Sequence, residues 1–324
     1  MLSTWIPYWN DDAPLRRVRA HARLFEYASP FWFQATSATR IVRVGSSAGL
    51  AELARSLRVD GVRVVPTVTE SWSAKAAARI LNDPDRRAAH VRALVALVRS
   101  GGYGGLDLDY EQMAVTTRRV RADRVRAGFT ALIERLCPRL RRLGRRCTVT
   151  VMARTDDAKR IWRRRLAVWV YDYGRIAAAA DRMRIMVYAE HGPREAPGPI
   201  ATTGWTREIL DYALATAPPR KLELALPLFG YDWASDGATS VLWTEADARR
   251  RARGRPYGFA RAYGAPYFQY RAGGVRHTVW YEDARSTALK VALARKAGVA
   301  SIGFWYVGHE DPRTWPMLRR RLRP

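Results

Sequence analysis

Short apolar runs alternate along this chain with longer stretches of helical periodicity, and that alternation limits the folds open to it. Strands are expected at 4–8, 25–33, 62–68, 106–110, 147–152, 184–188, 222–228 and 301–305. Between most of them lie helical signals. Asp83 can cap a helix whose first turn holds Pro84 and whose stop is Gly101, with Val91, Leu94, Val95 and Val98 on one face. Eight strands joined by crossover helices predict a parallel sheet, and eight is the number that closes a (β/α)8 TIM barrel. A chain of 324 residues suits a single domain of that kind, spanning 1–324. One connection breaks the pattern. Residues 230–282 are rich in Gly, Tyr and Trp and are expected to form a small α+β subdomain inserted between strands seven and eight, over the barrel mouth.

Charge narrows the partners. Lys and Arg number 56 against 30 Asp and Glu, a formal net charge of +26, and only five of the basic residues are lysine. Such a surface attracts polyanions without regard to kind, whether nucleic acid, anionic lipid or cell-wall polymer. No nucleic-acid motif accompanies the charge, so nucleic-acid binding is expected to be incidental and lost in salt. No apolar run approaches the roughly 18 residues of a membrane span. The N-terminal segment lacks the basic and apolar regions of a secretion signal. Cys137 and Cys147 make no disulfide framework and are expected as two thiols in or near a core. A monomer is expected.

The chemistry concentrates in Gly101-Gly-Tyr-Gly-Gly-Leu-Asp-Leu-Asp-Tyr-Glu-Gln112, where Asp107, Asp109 and Glu111 alternate with Leu106, Leu108 and Tyr110. On a strand the three acids share one face, about 6.6 Å apart in succession. Three neighbouring carboxyls resist joint ionisation, so at least one keeps a proton near neutral pH. A protonated carboxyl at the C-terminal end of a barrel strand suits general-acid catalysis. The same triplet is compatible with a solvated acidic face or a hard-cation site.

Tyr103-Gly-Gly-Leu-Asp-Leu-Asp-Tyr-Glu111 resembles the signature of glycoside hydrolase family 18, the chitinase family. Met186-Val-Tyr188, Ala225-Leu-Pro-Leu-Phe-Gly-Tyr-Asp-Trp233 and Gly303-Phe-Trp305 are similar to its segments at strands six, seven and eight. Ser29-Pro-Phe-Trp32, Tyr171-Asp-Tyr173, Glu190-His191 with Pro197-Gly-Pro199, and Trp280-Tyr-Glu-Asp283 are most similar to its spore-cortex and peptidoglycan-hydrolysing branch. The family is a substrate-assisted exception among glycosidases. The resemblance therefore implies that Glu111 protonates the leaving oxygen while the substrate's 2-acetamido oxygen attacks the anomeric carbon. Asp109 would orient the acetamido nitrogen, Asp107 would bias the charge of Asp109, and Tyr188 would donate to the acetamido oxygen. Trp305 would floor the sugar site. The implied substrate is an N-acetylated polysaccharide, peptidoglycan or chitin oligomers, with no metal and no cofactor.

Two positions depart from the family pattern. Gly104 stands where the longer motif has Asp, and Ala189 stands where an Asp follows the strand-six Tyr. The second loss opens an alternative, a weak or silent lectin-like barrel that binds amino-sugar polymers. Glu190 is not expected to compensate, because adjacent strand residues face opposite ways. Trp233, Tyr231 and Trp32 join Trp305 as candidate sugar-stacking residues, with Trp72, Trp243 and Trp280 read as ordinary packing. His191 and His309 could reach substrate or make only local bonds. The run Arg118, Arg119, Arg121, Arg124 and Arg126 reads as a solvated face or a polyanion-binding flank.

Overall fold

A computed structural model of the chain describes residues 1–10, 12–45, 50–116, 118–157, 166–235 and 237–322. Eight parallel strands form a closed ring: β1 (Leu2–Ile6), β2 (Phe25–Ala35), β3 (Thr67–Glu70), β4 (Gly105–Leu108), β5 (Arg146–Met152), β6 (Arg182–Met186), β7 (Leu222–Pro227) and β8 (Ser301–Trp305). Pairing of β1 with both β2 and β8 closes the barrel. Helices follow the strands and cover the outside, which gives the expected (β/α)8 TIM barrel.

Local chemistry explains the boundaries. Asp83 Oδ1 accepts from the amides of Asp85 and Arg86, both at 3.0 Å, and starts the helix Pro84–Ser100. Strand three differs from its expected span. Arg63–Val64 pairs with β2 separately, and Pro66, which has no N–H for the ladder, precedes the resumed strand. The ladder then runs to Glu70, two residues past the expected end. Strand four ends at Leu108 rather than Tyr110. Glu111 leaves the strand conformation, with φ −111° and ψ −33°, and opens the short 3-10 helix Gln112–Ala114.

The outward residues of the strands, among them Leu106, Leu108, Val149, Val151, Ile185 and Leu224, are buried in the layer shared with the helices. The barrel interior is polar instead. Ser3, Tyr27, Ser29, Thr67, Thr150, Arg184, Glu223 and Ser301 hydrogen-bond across it. Cys137, in the helix Arg119–Arg142, and Cys147, in β5, are joined in a disulfide with Cα atoms 5.2 Å apart. This corrects the expectation of two thiols. The turn at Gly144 (φ 66°) folds the last turn of the helix back onto the strand that follows.

After β7 the chain builds a five-stranded antiparallel sheet from Phe229–Ala234, Gly237–Leu242, Gly258–Ala260, Ala265–Ala272 and Val275–Trp280, with the helix Trp243–Ala252. Alternation puts Phe229, Tyr231 and Trp233 on the face toward the barrel mouth, packed with Tyr188 and Trp305. On the other face buried Asp232 accepts from Arg249 Nη1 at 2.6 Å and Tyr270 Oη at 2.6 Å, and lies 2.9 Å from His277 Nδ1. These bonds tie the sheet together under the aromatic face.

Candidate active site

The three acids of the motif lie at increasing height in the barrel. Asp107 is buried at the bottom. Its Oδ2 accepts from Trp5 Nε1 (3.0 Å), Thr67 Oγ1 (2.8 Å) and Arg184 Nη1 (2.9 Å), and its Oδ1 accepts from Thr150 Oγ1 (2.8 Å). Arg184 reaches on to Glu223 Oε1 at 2.5 Å and lies over the Trp5 ring, 4.3 Å from its centre. Glu223 also accepts from Ser3, Tyr27 and Ser301, each at 2.7 Å. Burial would raise the Glu223 pKa, but Arg184 and these hydroxyls overcome it and hold the carboxyl at about 2. The interior is thus an ion-pair cluster in which each charge has a partner, as burial demands.

Asp109 lies above it, buried, and its Oδ1 has no hydrogen-bond partner among the described residues. Burial, then the neighbouring Glu111 and Asp107, push its pKa well above the ordinary carboxylate range. Glu111 is half-buried, and burial raises it to about 7. The site therefore carries protons near neutral pH, chiefly because its acids are buried.

Glu70, at the end of β3, was missed by sequence reading. Its Oε2 accepts the Glu111 amide at 3.1 Å and its Oε1 the Met113 amide at 2.7 Å, so it holds the turn that presents Glu111. Burial raises Glu70 to about 8. The signal was present: ending the strand at Val68 hid an acid beyond Pro66. Glu70, Asp109 and Glu111, with Gln34 and Gln112, line a cavity of about 460 Å³ at the C-terminal ends of the strands.

Tyr188 stands just past β6 beside these acids. Burial first, then the charges of Asp109 and Glu111, keep its hydroxyl protonated. Trp305 ends β8 in an aromatic cup with Phe31 (5.2 Å between ring centres), Trp5 (5.5 Å) and Trp9 (6.2 Å). Trp9 is 57 % exposed just beyond β1 and went unremarked in the sequence, although its place after the strand end pointed to the mouth. Phe31 faces this cup, and its neighbour Trp32 does not. Trp32 is buried on the opposite side of β2 against Tyr103 (6.1 Å), which corrects its candidacy for stacking. Tyr231 is half-buried and Trp233 buried, with rings 5.4 Å apart on the inserted sheet.

Other candidates make local contacts in the structure. Ala189 has φ 63°, a left-handed conformation rare for a residue with a Cβ, and supplies no carboxylate. Glu190 turns away to accept from the Thr202 amide at 2.6 Å. His191 Nδ1 lies 3.1 Å from Ala196 O, and His309 Nε2 3.1 Å from Asn10 Nδ2. No group of three His, Cys, Asp or Glu among the described residues is placed to hold a metal ion. No helix among them is long and apolar enough to cross a membrane.

The profile of glycosyl hydrolases family 18 matches residues 66–310. A protein of Bacillus subtilis (strain 168), YdhD, whose name gives it provisionally as a sporulation-specific glycosylase, is 29 % identical over 305 residues, 91 % of this chain and 69 % of that one. A cortical fragment-lytic enzyme of Bacillus cereus is 24 % identical over 318 residues, 95 % of this chain and 70 % of that one. Among solved structures, a chitinase from Chromobacterium violaceum ATCC 12472 superposes with a TM-score of 0.88 at 26 % identity, covering 100 % of this chain and 99 % of that one.

Proposed function

This chain belongs to glycosyl hydrolases family 18 and is a glycoside hydrolase with a polysaccharide substrate, and from that premise we propose that it cleaves β-1,4 bonds after N-acetylglucosamine with retention, using the substrate's own acetamido group. The observation that carries the proposal is Asp109 Oδ1, a buried acceptor without a partner among the described residues, between a proton-holding Glu111 and an arginine-paired Asp107. An acetamido N–H is the donor such an oxygen lacks.

In the first step the Glu111 proton moves to the glycosidic oxygen. The C1–oxygen bond breaks as the acetamido oxygen bonds to C1, giving an oxazolinium ion. Asp109 Oδ1 accepts the acetamido N–H and so supports the positive charge as it develops, with the Arg184–Asp107 pair fixed beneath it. Tyr188 donates to the acetamido oxygen, and Trp305 supports the apolar face of the sugar. In the second step water adds to C1 from the face that the leaving group vacated. Its proton goes to the Glu111 carboxylate, and the C1–acetamido oxygen bond breaks. Two displacements at one carbon give net retention.

Peptidoglycan is the substrate we infer, with chitin oligomers second. The cortical fragment-lytic relative and the +26 charge, suited to an anionic wall, support that order. The test is incubation with purified peptidoglycan and, separately, chitin oligomers between pH 4 and 8, with products read by mass spectrometry. New reducing N-acetylglucosamine ends from peptidoglycan, absent with Glu111→Gln, are expected. Binding without cleavage of either polymer would replace this reading with the lectin-like one that Ala189 suggests.

A further inference from the structure

Beside the catalytic cavity, on the outer flank of the barrel, a groove of about 660 Å³ runs between the helices Ala74–Asn82 and Arg119–Arg142. Lys75, Arg79, Arg118, Arg121 and Arg124 line it, and among the described residues no acid does. Elsewhere arginines of this chain commonly meet a carboxylate, as in Arg19–Asp60, Arg141–Asp181 and Arg175–Glu134. None of the five groove side chains has such a partner among the described residues. The nearby acid, Asp123, is engaged by Trp169 Nε1 at 2.7 Å. Lys75 and Arg79 are four residues apart on one helix, and Arg121 and Arg124 three apart on the other. Like charges at these spacings repel across one helical face, so the arrangement weakens the fold unless an anion occupies it.

Its position gives the anion a source. The helix Ala74–Asn82 starts at the same barrel end as Glu70, and Ser71 lines the catalytic cavity while Ser73 lines the groove. The second helix starts after the turn that carries Glu111. Ser71 and Ser73 are two residues apart, so a glycan that left the cleft on this side would reach the groove. Neutral chitin offers no counter-charge to five cations there. A strand bearing peptide carboxylates, or lactyl carboxylates where no peptide is attached, does.

We propose that this groove binds the carboxylates of an acidic glycan strand as an extension of the active site, and so selects peptidoglycan over chitin; the inference rests on the glycan-cleaving reading above. The full chain carrying Glu111→Gln is cosedimented with purified peptidoglycan, with the same material after amidation of its carboxylates, and with chitin. Each is measured at low salt and at 0.5 M NaCl. A second protein adds Lys75→Gln, Arg79→Gln, Arg121→Gln and Arg124→Gln, and circular dichroism checks its fold. The expected result is at least a tenfold loss of affinity for native peptidoglycan from the four substitutions, a similar loss from amidation or salt, and unchanged chitin binding. Unchanged peptidoglycan affinity in the four-site variant, or an equal loss on chitin, would overturn the proposal. So would a duplex DNA that shows the groove-dependent loss while amidated peptidoglycan still binds fully. Hydrolysis by the chain with Glu111 intact is scored separately, so failed cleavage and a failed groove give different results.

Discussion

The guanidinium of Arg184 and the carboxylate of Asp107 meet 2.9 Å apart, both fully buried, at the bottom of the barrel below Asp109 and Glu111. Arg184 also pairs with Glu223, so one cation serves two acids from strands on either side of it. In a low-dielectric interior this arrangement has little net worth against an apolar packing, but its halves are costly apart. It fixes where the negative charge of the motif can reside.

Arg184→Met is expected to cost about 3–5 kcal/mol of stability at pH 7, since it strands Asp107 and Glu223 without a counter-charge. Adding Glu223→Gln should recover part of the loss. Glu223 sits at about 2 when folded, so its contribution is present above its usual value of 4.5 and is lost as pH falls toward 2. Urea denaturation from pH 3 to 7 should show that acid-side slope flattened in Arg184→Met. An unflattened slope would remove Arg184 as its cause.

Glu111 must be protonated to act as an acid, and burial holds it at about 7. The kcat/KM profile should therefore fall on its alkaline limb through about pH 7, and Glu111→Gln should lower kcat by about 10²–10⁴. Stability has a matching sign. A raised carboxyl stabilises most below its usual value of 4.5, and that contribution is lost as pH rises through 7. Relative to wild type, Glu111→Gln should gain on the order of 3 kcal/mol between pH 4 and 8. Equal pH dependence of the two melting curves would refute the assignment.

Asp109→Asn keeps the shape of the side chain and removes its capacity for charge. Loss of a preorganised charge that acts on the transition state should lower kcat by about 10²–10³ with a much smaller change in KM. Steady-state kinetics on a soluble N-acetylglucosamine oligomer separates the two. A change confined to KM would make Asp109 a binding group only.

Trp9→Ala should raise KM about 3–10-fold with little change in kcat, the worth of one exposed aromatic contact. Trp305→Ala should lower kcat as well, because Trp305 ends β8 beneath the site and anchors the cup of Trp5, Phe31 and Trp9. Trp32→Phe should leave both constants unchanged and lower only the melting temperature.

The Cys137–Cys147 disulfide closes a segment of 10 residues. Its removal by Cys137→Ala should cost about 2–3 kcal/mol by loop-closure entropy. Alkylation and mass spectrometry of the unreduced protein should find no free thiol. Full alkylation without reductant would return both cysteines to the thiol state expected from sequence.

The barrel was legible in the sequence, because strand and helix periods, caps such as Asp83 and stops such as Gly101 are local properties. The acidic triplet was legible too, but taken alone it also fitted a solvated face or a hard-cation site; the family-like segments elsewhere in the chain gave it a catalytic reading. The tertiary structure alone decided which groups meet these acids. Glu70 reached the Glu111 turn because Pro66 precedes a resumed strand that runs on to the mouth, and pairing with a neighbouring strand set the register. Trp9 joined the site and Trp32 left it through the geometry of ring closure, which turns Phe31 inward and its neighbour outward. The Arg184–Asp107–Glu223 cluster spans residues 107 to 223, and the disulfide depends on how one helix packs against the next strand. Side-chain periodicity records which face a residue occupies; which residues lie across the barrel depends on contacts distant in sequence, which appear only once the ring is closed.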